Sequence, residues 1–228
     1  MAGTFITFEG IDGSGKSTQI RLLANSLRAL GDDVLTTREP GGTPVGLRLR
    51  AALLDAHEVD PLTELLVFAA DRAQHVRRVL RPALEAGRVV LSDRYADATV
   101  AYQGAGRGFA PELISQIIGL ATEGLKPNLT LLFDLPVGES IARTRRRSNG
   151  KHKGDRLDAE DPSFHTRVRD AYLEMAAAEP ERFSIVDTSG SVEDTHLRIK
   201  EIVVPFLEAR KNLISKEPTA ATSRPVAP

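Results

Sequence analysis

Cysteine is absent from the 228 residues. That removes any disulfide framework and any thiolate metal site, and it fits a reducing compartment such as the cytoplasm. Neither charge is in excess: 30 Lys and Arg stand against 31 Asp and Glu. The balance argues against a general nucleic-acid or membrane surface. No run approaches the ~20 apolar residues of a bilayer-spanning helix. The first residues, Met1 to Phe8, carry neither the basic stretch nor the long apolar core of a secretory signal. No internal repeat is visible. The expectation is a soluble intracellular protein with no nucleic-acid or membrane partner.

With 41% hydrophobic residues, the chain has enough apolar side chains for one sizeable core. Strand-like apolar runs occur at Phe5–Phe8, Val34–Thr37, Val89–Ser92, Leu129–Phe133 and Phe183–Val186. Helix-period segments lie between them, at Gln19–Leu30, Leu47–Leu54, Pro61–Ala86, Pro111–Ala121, Gly138–Arg147, Pro162–Ala178 and Val192–Ala209. Strands alternating with helices predict an α/β fold with a five-stranded parallel sheet covered on both faces. The near-continuous apolar strands agree, because such strands are buried on two sides. One domain over residues 1–210 is expected. Residues 211–228, which end in small residues and prolines, read as a disordered tail.

The stretch Gly10-Ile11-Asp12-Gly13-Ser14-Gly15-Lys16-Ser17 matches G-x-x-x-x-G-K-[ST] at every fixed position, with a strand before it and a helix after. Backbone N–H groups can cradle an anionic polyphosphate where no Cβ blocks the approach, and a helix N-terminus adds positive potential. Lys16 is placed to reach the β- and γ-phosphates and the Ser17 hydroxyl to ligate Mg²⁺. Thr18 completes the segment. The motif indicates a nucleoside triphosphate without naming the reaction. Asp93, at the end of the third strand, is the expected second Mg²⁺ carboxylate. Arg94 beside it is suited to a bidentate phosphate clamp.

Between positions 143 and 156 seven basic residues face a single acid, Asp155. Ser148-Asn149-Gly150 and Gly154 interrupt the helical pattern there. A mobile cationic lid over about 143–158 is expected, closing on the transferring phosphoryl group and excluding water. No aromatic residue interleaves the charges, which disfavours a single-stranded nucleic-acid surface.

Four segments then match one family in order. They are Phe8 to Thr18, Thr37-Arg38-Glu39-Pro40-Gly41-Gly42, Phe68-Ala69-Ala70-Asp71-Arg72-Ala73-Gln74-His75, and Asp93-Arg94-Tyr95 through Gly104. Together they resemble bacterial thymidylate kinase, a P-loop nucleoside-monophosphate kinase family, over roughly Gly3 to Leu207. The resemblance implies the P-loop kinase fold, transfer of the γ-phosphate of ATP to dTMP, Mg²⁺ as cofactor, and a homodimer. It implies that Phe68 stacks on the base, that Arg72 meets a base oxygen, and that Thr99 and Gln103 read the base edge. Tyr102 would lie against the sugar. Arg38, Arg50 and Arg94 would clamp the acceptor phosphate, with Arg48 as the neighbour of Arg50 in contention. Asp12 would touch the sugar 3′-hydroxyl or the metal, and Glu39 would add a water-mediated contact to Mg²⁺. The family pairs a phosphate loop lacking arginine with a lid that supplies the catalytic guanidinium. Arg147 and Arg156 are the foremost choices, followed by Arg145 and Arg146. One departure stands out: Ala98-Thr99 replaces the usual two serines. The competing readings are a different small-molecule P-loop kinase and a non-catalytic nucleotide switch. No N-K-x-D guanine-reading motif is present.

Overall fold

The computed structural model describes residues 3–56, 58–148, 156–157 and 159–216, with the backbone alone for 147–148 and 213–216. All five strands form as expected: β1 (Thr4–Glu9), β2 (Val34–Arg38), β3 (Val89–Asp93), β4 (Leu129–Asp134) and β5 (Phe183–Asp187). They make one parallel sheet in the order β2-β3-β1-β4-β5. Phe8 of β1 pairs with Asp93 of β3, and Asp93 with Arg38 of β2. Register therefore brings the phosphate loop, Asp93 and Arg38 to the same C-terminal edge of the sheet, where open α/β sheets bind ligands.

Alternation along β1 supplies both faces. Ile6 and Phe8 join a core with α1 (Lys16–Ala29) and α9 (Val192–Lys216) through Leu23, Leu27, Ile199 and Val203. Phe5 points the other way, into a cluster with Val90, Tyr95 and Leu80. A third cluster under the loop edge joins Ile11, Tyr102 and Leu132 to Phe164, Val168 and Tyr172 of α8 (Pro162–Ala178). Helix starts follow local chemistry. Asp60 and Asp161 each accept two backbone N–H groups at the head of a helix whose first residue is proline.

Three helix expectations are corrected. The predicted single helix Pro61–Ala86 is α3 (Pro61–His75), a wide-turn segment Val76–Leu80 and α4 (Arg81–Glu85). Pro82 has no N–H and crowds the carbonyl four residues back. The wide turn absorbs this, with the Arg81 N–H reaching Val76 O five residues back. Residues 96–106, which carry no helix in the sequence reading, form α5 (Ala96–Thr99) and a second wide-turn segment, Val100–Gly106. Finally, α9 runs to Lys216, past the domain boundary expected at 210, and Lys211 pairs with Asp32 at 2.5 Å. The rest of the tail, 217–228, lies outside the described residues. The remaining helices are α2 (Pro44–Leu54), α6 (Pro111–Thr122) and α7 (Val137–Ser148). Among the described residues no helix is long and apolar enough to cross a membrane.

Candidate active site

The loop after β1 is held from two sides. A Cβ on Gly13 would come within 2.8 Å of Ser140 O on α7, at a φ of +76°. Ser140 Oγ in turn donates to Asp12 O. Gly15 also has positive φ, +96°, but faces open space within 4 Å. The left-handed backbone is thus the reason for Gly15, whereas Gly13 also permits α7, the root of the expected lid, to seat on the loop. Ile11 faces inward to the core, Ser14 is buried, and Thr18 is exposed.

Lys16 is buried and curls over the loop, its Nζ donating to Gly10 O at 3.0 Å and Ile11 O at 2.9 Å. Burial and then the nearby Arg94 push its ammonium down to about 8, against the pull of Asp12, Asp93 and Glu9. Ser17 Oγ donates to Asp93 Oδ2 at 2.7 Å across 76 residues of sequence. An exposed hydroxyl beside a carboxylate is an all-oxygen donor set of the kind Mg²⁺ takes alongside phosphates and water. No cage of three or more His, Asp or Glu gathers among the described residues, and such an ion does not need one. Glu39, at the edge of the adjoining cleft, accepts from Arg72 Nε at 2.8 Å and from His75 Nδ1 at 2.7 Å, and it is 4% exposed.

Next to the loop opens a cleft. Leu54, half-buried Phe68, Ala98 and Leu157 give it an apolar side; Arg50, Arg72, Thr99, Tyr102 and Gln103 give it a polar one. Asp12 and Arg94 form its inner end. There Arg94 Nη2 donates to Asp12 Oδ1 and to Tyr102 Oη, both at 2.9 Å, and Tyr102 Oη donates to Asp12 Oδ2 at 3.1 Å. Burial would raise the Asp12 carboxyl, but Arg94 and Lys16 outweigh it and hold Asp12 well below the usual carboxylate range. Arg94 itself sits at φ +70°, a strained position for a side chain of its size. Its backbone is pinned on both sides: Arg94 N–H donates to Phe8 O, and Tyr95 N–H to Glu9 Oε1 at 2.7 Å.

Arg50 lines the cleft and Arg48 is exposed, so the choice between them falls on Arg50. Arg38 is exposed and outside the cleft lining; Arg38 and Arg50 flank Gly41, whose N–H is held by Asp71 Oδ1 at 3.1 Å. Arg72, also in the cleft lining, donates to Glu39, to Thr99 Oγ1 at 2.7 Å and to Tyr95 O at 2.8 Å.

Of the lid, α7 and Arg156-Leu157 are described, while residues 149–155, Asp158 and the side chain of Arg147 lie outside. Arg145 and Arg146 are exposed. Arg156 pairs with Glu64 and reaches Leu53 O.

Three acids escaped the sequence reading. Burial and then Asp97 push Glu9 up to about 8, against Arg94 and the Tyr172 hydroxyl. Asp71 is pushed to about 6 by burial and Glu39, and its Oδ2 has no hydrogen-bond partner among the described residues. Glu64, with no exposed surface, is bound by Gln103, Arg107 and Arg156. For Glu64 a signal existed: it is the one acid in the apolar run Leu62 to Phe68.

A triphosphate loop and a separate arginine-lined cleft, meeting at one ion pair, define the class: a P-loop kinase acting on a small phosphorylated acceptor. The family model described as thymidylate kinase matches residues 8–199. The chain is 50% identical over 209 residues to the thymidylate kinase of Geotalea uraniireducens (strain Rf4), covering 90% of this chain and 98% of that one. It is 53% identical over 203 residues to that of Geobacter sp. (strain M21), covering 87% and 90%. The crystal structure of thymidylate kinase from Ehrlichia chaffeensis superposes with a TM-score of 0.72 at 33% identity, covering 88% and 98%. The chain belongs to the thymidylate kinase family.

Proposed function

We propose that the chain transfers the γ-phosphate of ATP to dTMP, giving ADP and dTDP on the route to dTTP, with the loop from Gly10 to Thr18 as donor site and the adjoining cleft as acceptor site. The observation that carries this is the Asp12–Arg94–Tyr102 junction, where the two chambers meet. Arg94 is the group an acceptor phosphate meets there, and Lys16 is the cation nearest the transferring phosphoryl group. In such a reaction positioning and charge neutralisation do most of the work. Ser17 and Asp93 would hold Mg²⁺, which when bound neutralises triphosphate charge. Phe68 provides a flat apolar wall for the base, Arg50 assists the acceptor phosphate, and Tyr102 borders the sugar. Arg38 is a peripheral member of the phosphate clamp. Arg147 and Arg156, followed by Arg145 and Arg146, are the lid cations offered to the transferring phosphoryl group. Purified protein with ATP and Mg²⁺ is expected to release ADP strongly with dTMP and weakly with dGMP, AMP and CMP. Equal release with and without any monophosphate would overturn the reading.

The pocket sets a ceiling on selectivity. Burying the one methyl group that separates dTMP from dUMP contributes roughly 0.8 kcal/mol, about four-fold, and good pocket contact stretches this to roughly 10–200-fold. Measurable dUMP turnover is therefore expected in the same assay; its complete absence would contradict this picture of the cleft.

We also read the enzyme as a cytoplasmic homodimer. Its substrates are those of the cytoplasm. Leu62 and Leu66, one turn apart on α3, and Leu113 and Leu120 on the adjoining α6 are exposed, Leu120 by 80%. Apolar side chains on packed neighbouring helices suit a self-complementary interface. A solution mass of two chains is expected, and a mass of one would contradict it.

A further inference from the structure

We infer that Glu64 sets the hydrogen-bonding polarity with which Gln103 reads the acceptor base, and so restricts the enzyme to pyrimidines bearing an N3–H. The inference rests on the cleft being the acceptor site. A glutamine amide offers a donor at one end and an acceptor at the other, and its shape does not distinguish them. Its neighbours decide which end faces the ligand. Here the neighbour is a carboxylate with no exposed surface, and Gln103 Nε2 donates to Glu64 Oε1 at 2.8 Å. An ionised carboxylate only accepts. Burial would favour its neutral form, but hydrogen bonds from Arg107, Arg156 and Gln103 outweigh burial and hold it below the usual glutamate range. The amide nitrogen is therefore committed to Glu64, and the carbonyl is the end that Gln103 presents to the cleft it lines.

The neighbouring reader is fixed in the same manner. Of the five Arg72 N–H groups, one goes to Glu39, one to Tyr95 O and one to Thr99 Oγ1. With its oxygen accepting from Arg72, the Thr99 hydroxyl keeps its hydrogen for the cleft. The wall thus offers an acceptor at Gln103 beside a donor at Thr99. The N3–H and C4 carbonyl of thymine or uracil are complementary to that order. Cytosine is not, because its N3 accepts and its 4-amino group donates; both pairs would be mismatched and buried. Glu64 touches neither base nor phosphate in this account, so it is a positioning residue.

The test compares kcat/KM for dTMP and dCMP, at saturating ATP and Mg²⁺, in wild type, E64Q and E64D. Glutamine at 64 can offer either end of its amide, which releases Gln103 to turn over. E64Q is expected to lower kcat/KM for dTMP and to shrink the dTMP-over-dCMP preference by about tenfold or more. KM for ATP should stay within about two-fold. E64D keeps an acceptor-only carboxylate and should keep the preference even if KM for dTMP rises. Wild type alone supplies an independent arm that holds even if E64Q does not fold: N3-methyl-dTMP is expected to be at least about tenfold poorer than dTMP. An E64Q enzyme with undiminished preference, an E64Q loss shared equally by dTMP, dCMP and ATP, or wild type using N3-methyl-dTMP as well as dTMP would each overturn the inference. Wild type that phosphorylates no pyrimidine monophosphate would instead sink the functional reading beneath it.

Discussion

Replacing Lys16 with alanine is expected to lower kcat by roughly 10²-fold or more. The reason is placement. The ammonium is buried and donates to Gly10 O and Ile11 O, and burial together with Arg94 holds it down at about 8. A polyphosphate entering the loop brings negative charge to that ammonium and favours its charged form. The cation is then fully developed where the transferring phosphoryl group gathers charge on its equatorial oxygens. Alanine removes that charge and leaves the glycine geometry of the loop in place. Steady-state kinetics on K16A, beside a melting curve showing a folded protein, check the point. A folded K16A enzyme with kcat near wild type would remove Lys16 from the reaction.

The second large effect belongs to Arg94. Its guanidinium serves Asp12, Tyr102 and, at 3.3 Å, Tyr172, and stands 4.7 Å from the Tyr102 ring centroid. R94A is expected to lower kcat/KM for dTMP by roughly 10³-fold, about 4 kcal/mol of transition-state stabilisation. It should also destabilise the fold, because Asp12 loses its nearest counter-charge in a partly buried site. R94K keeps a charge but not the planar fork that spans three partners, so most of the activity should still be lost. The double variant D12N/R94A separates the two effects. It should recover stability relative to R94A by removing the unpaired carboxylate, without recovering activity. Recovery of both would show that Arg94 only neutralises Asp12.

Much of this was legible from residue order. The five strands are short apolar runs because a parallel sheet buries both faces, and each such run became a strand. The phosphate loop was legible because its glycines, lysine and serine have chemical duties at fixed spacing. The helical turns at 96–106 were not, since Ala96 to Thr99 has no 3.6-residue apolar period. Tertiary anchors hold them instead: Glu9 captures the Tyr95 N–H before them, and Phe164 and Val168 would press on a Cβ at Gly106 at their end. The buried acids were illegible for a related reason. A glutamate at 64 acquires meaning when Gln103 and Arg107, 39 and 43 residues away, arrive beside it. Glu39 is the same case: its partners Arg72 and His75, one turn apart on α3, lie 33 and 36 residues away in sequence.

The central claim is that donor and acceptor occupy two chambers sharing one wall at Asp12 and Arg94. Isothermal titration of dTMP into protein already saturated with Mg²⁺ and ADP tests it most directly. One dTMP should bind per chain without displacing ADP, and the R94A variant should lose most of that affinity. Competition between dTMP and ADP for a single site, or no saturable dTMP binding by the folded wild-type protein, would contradict the account.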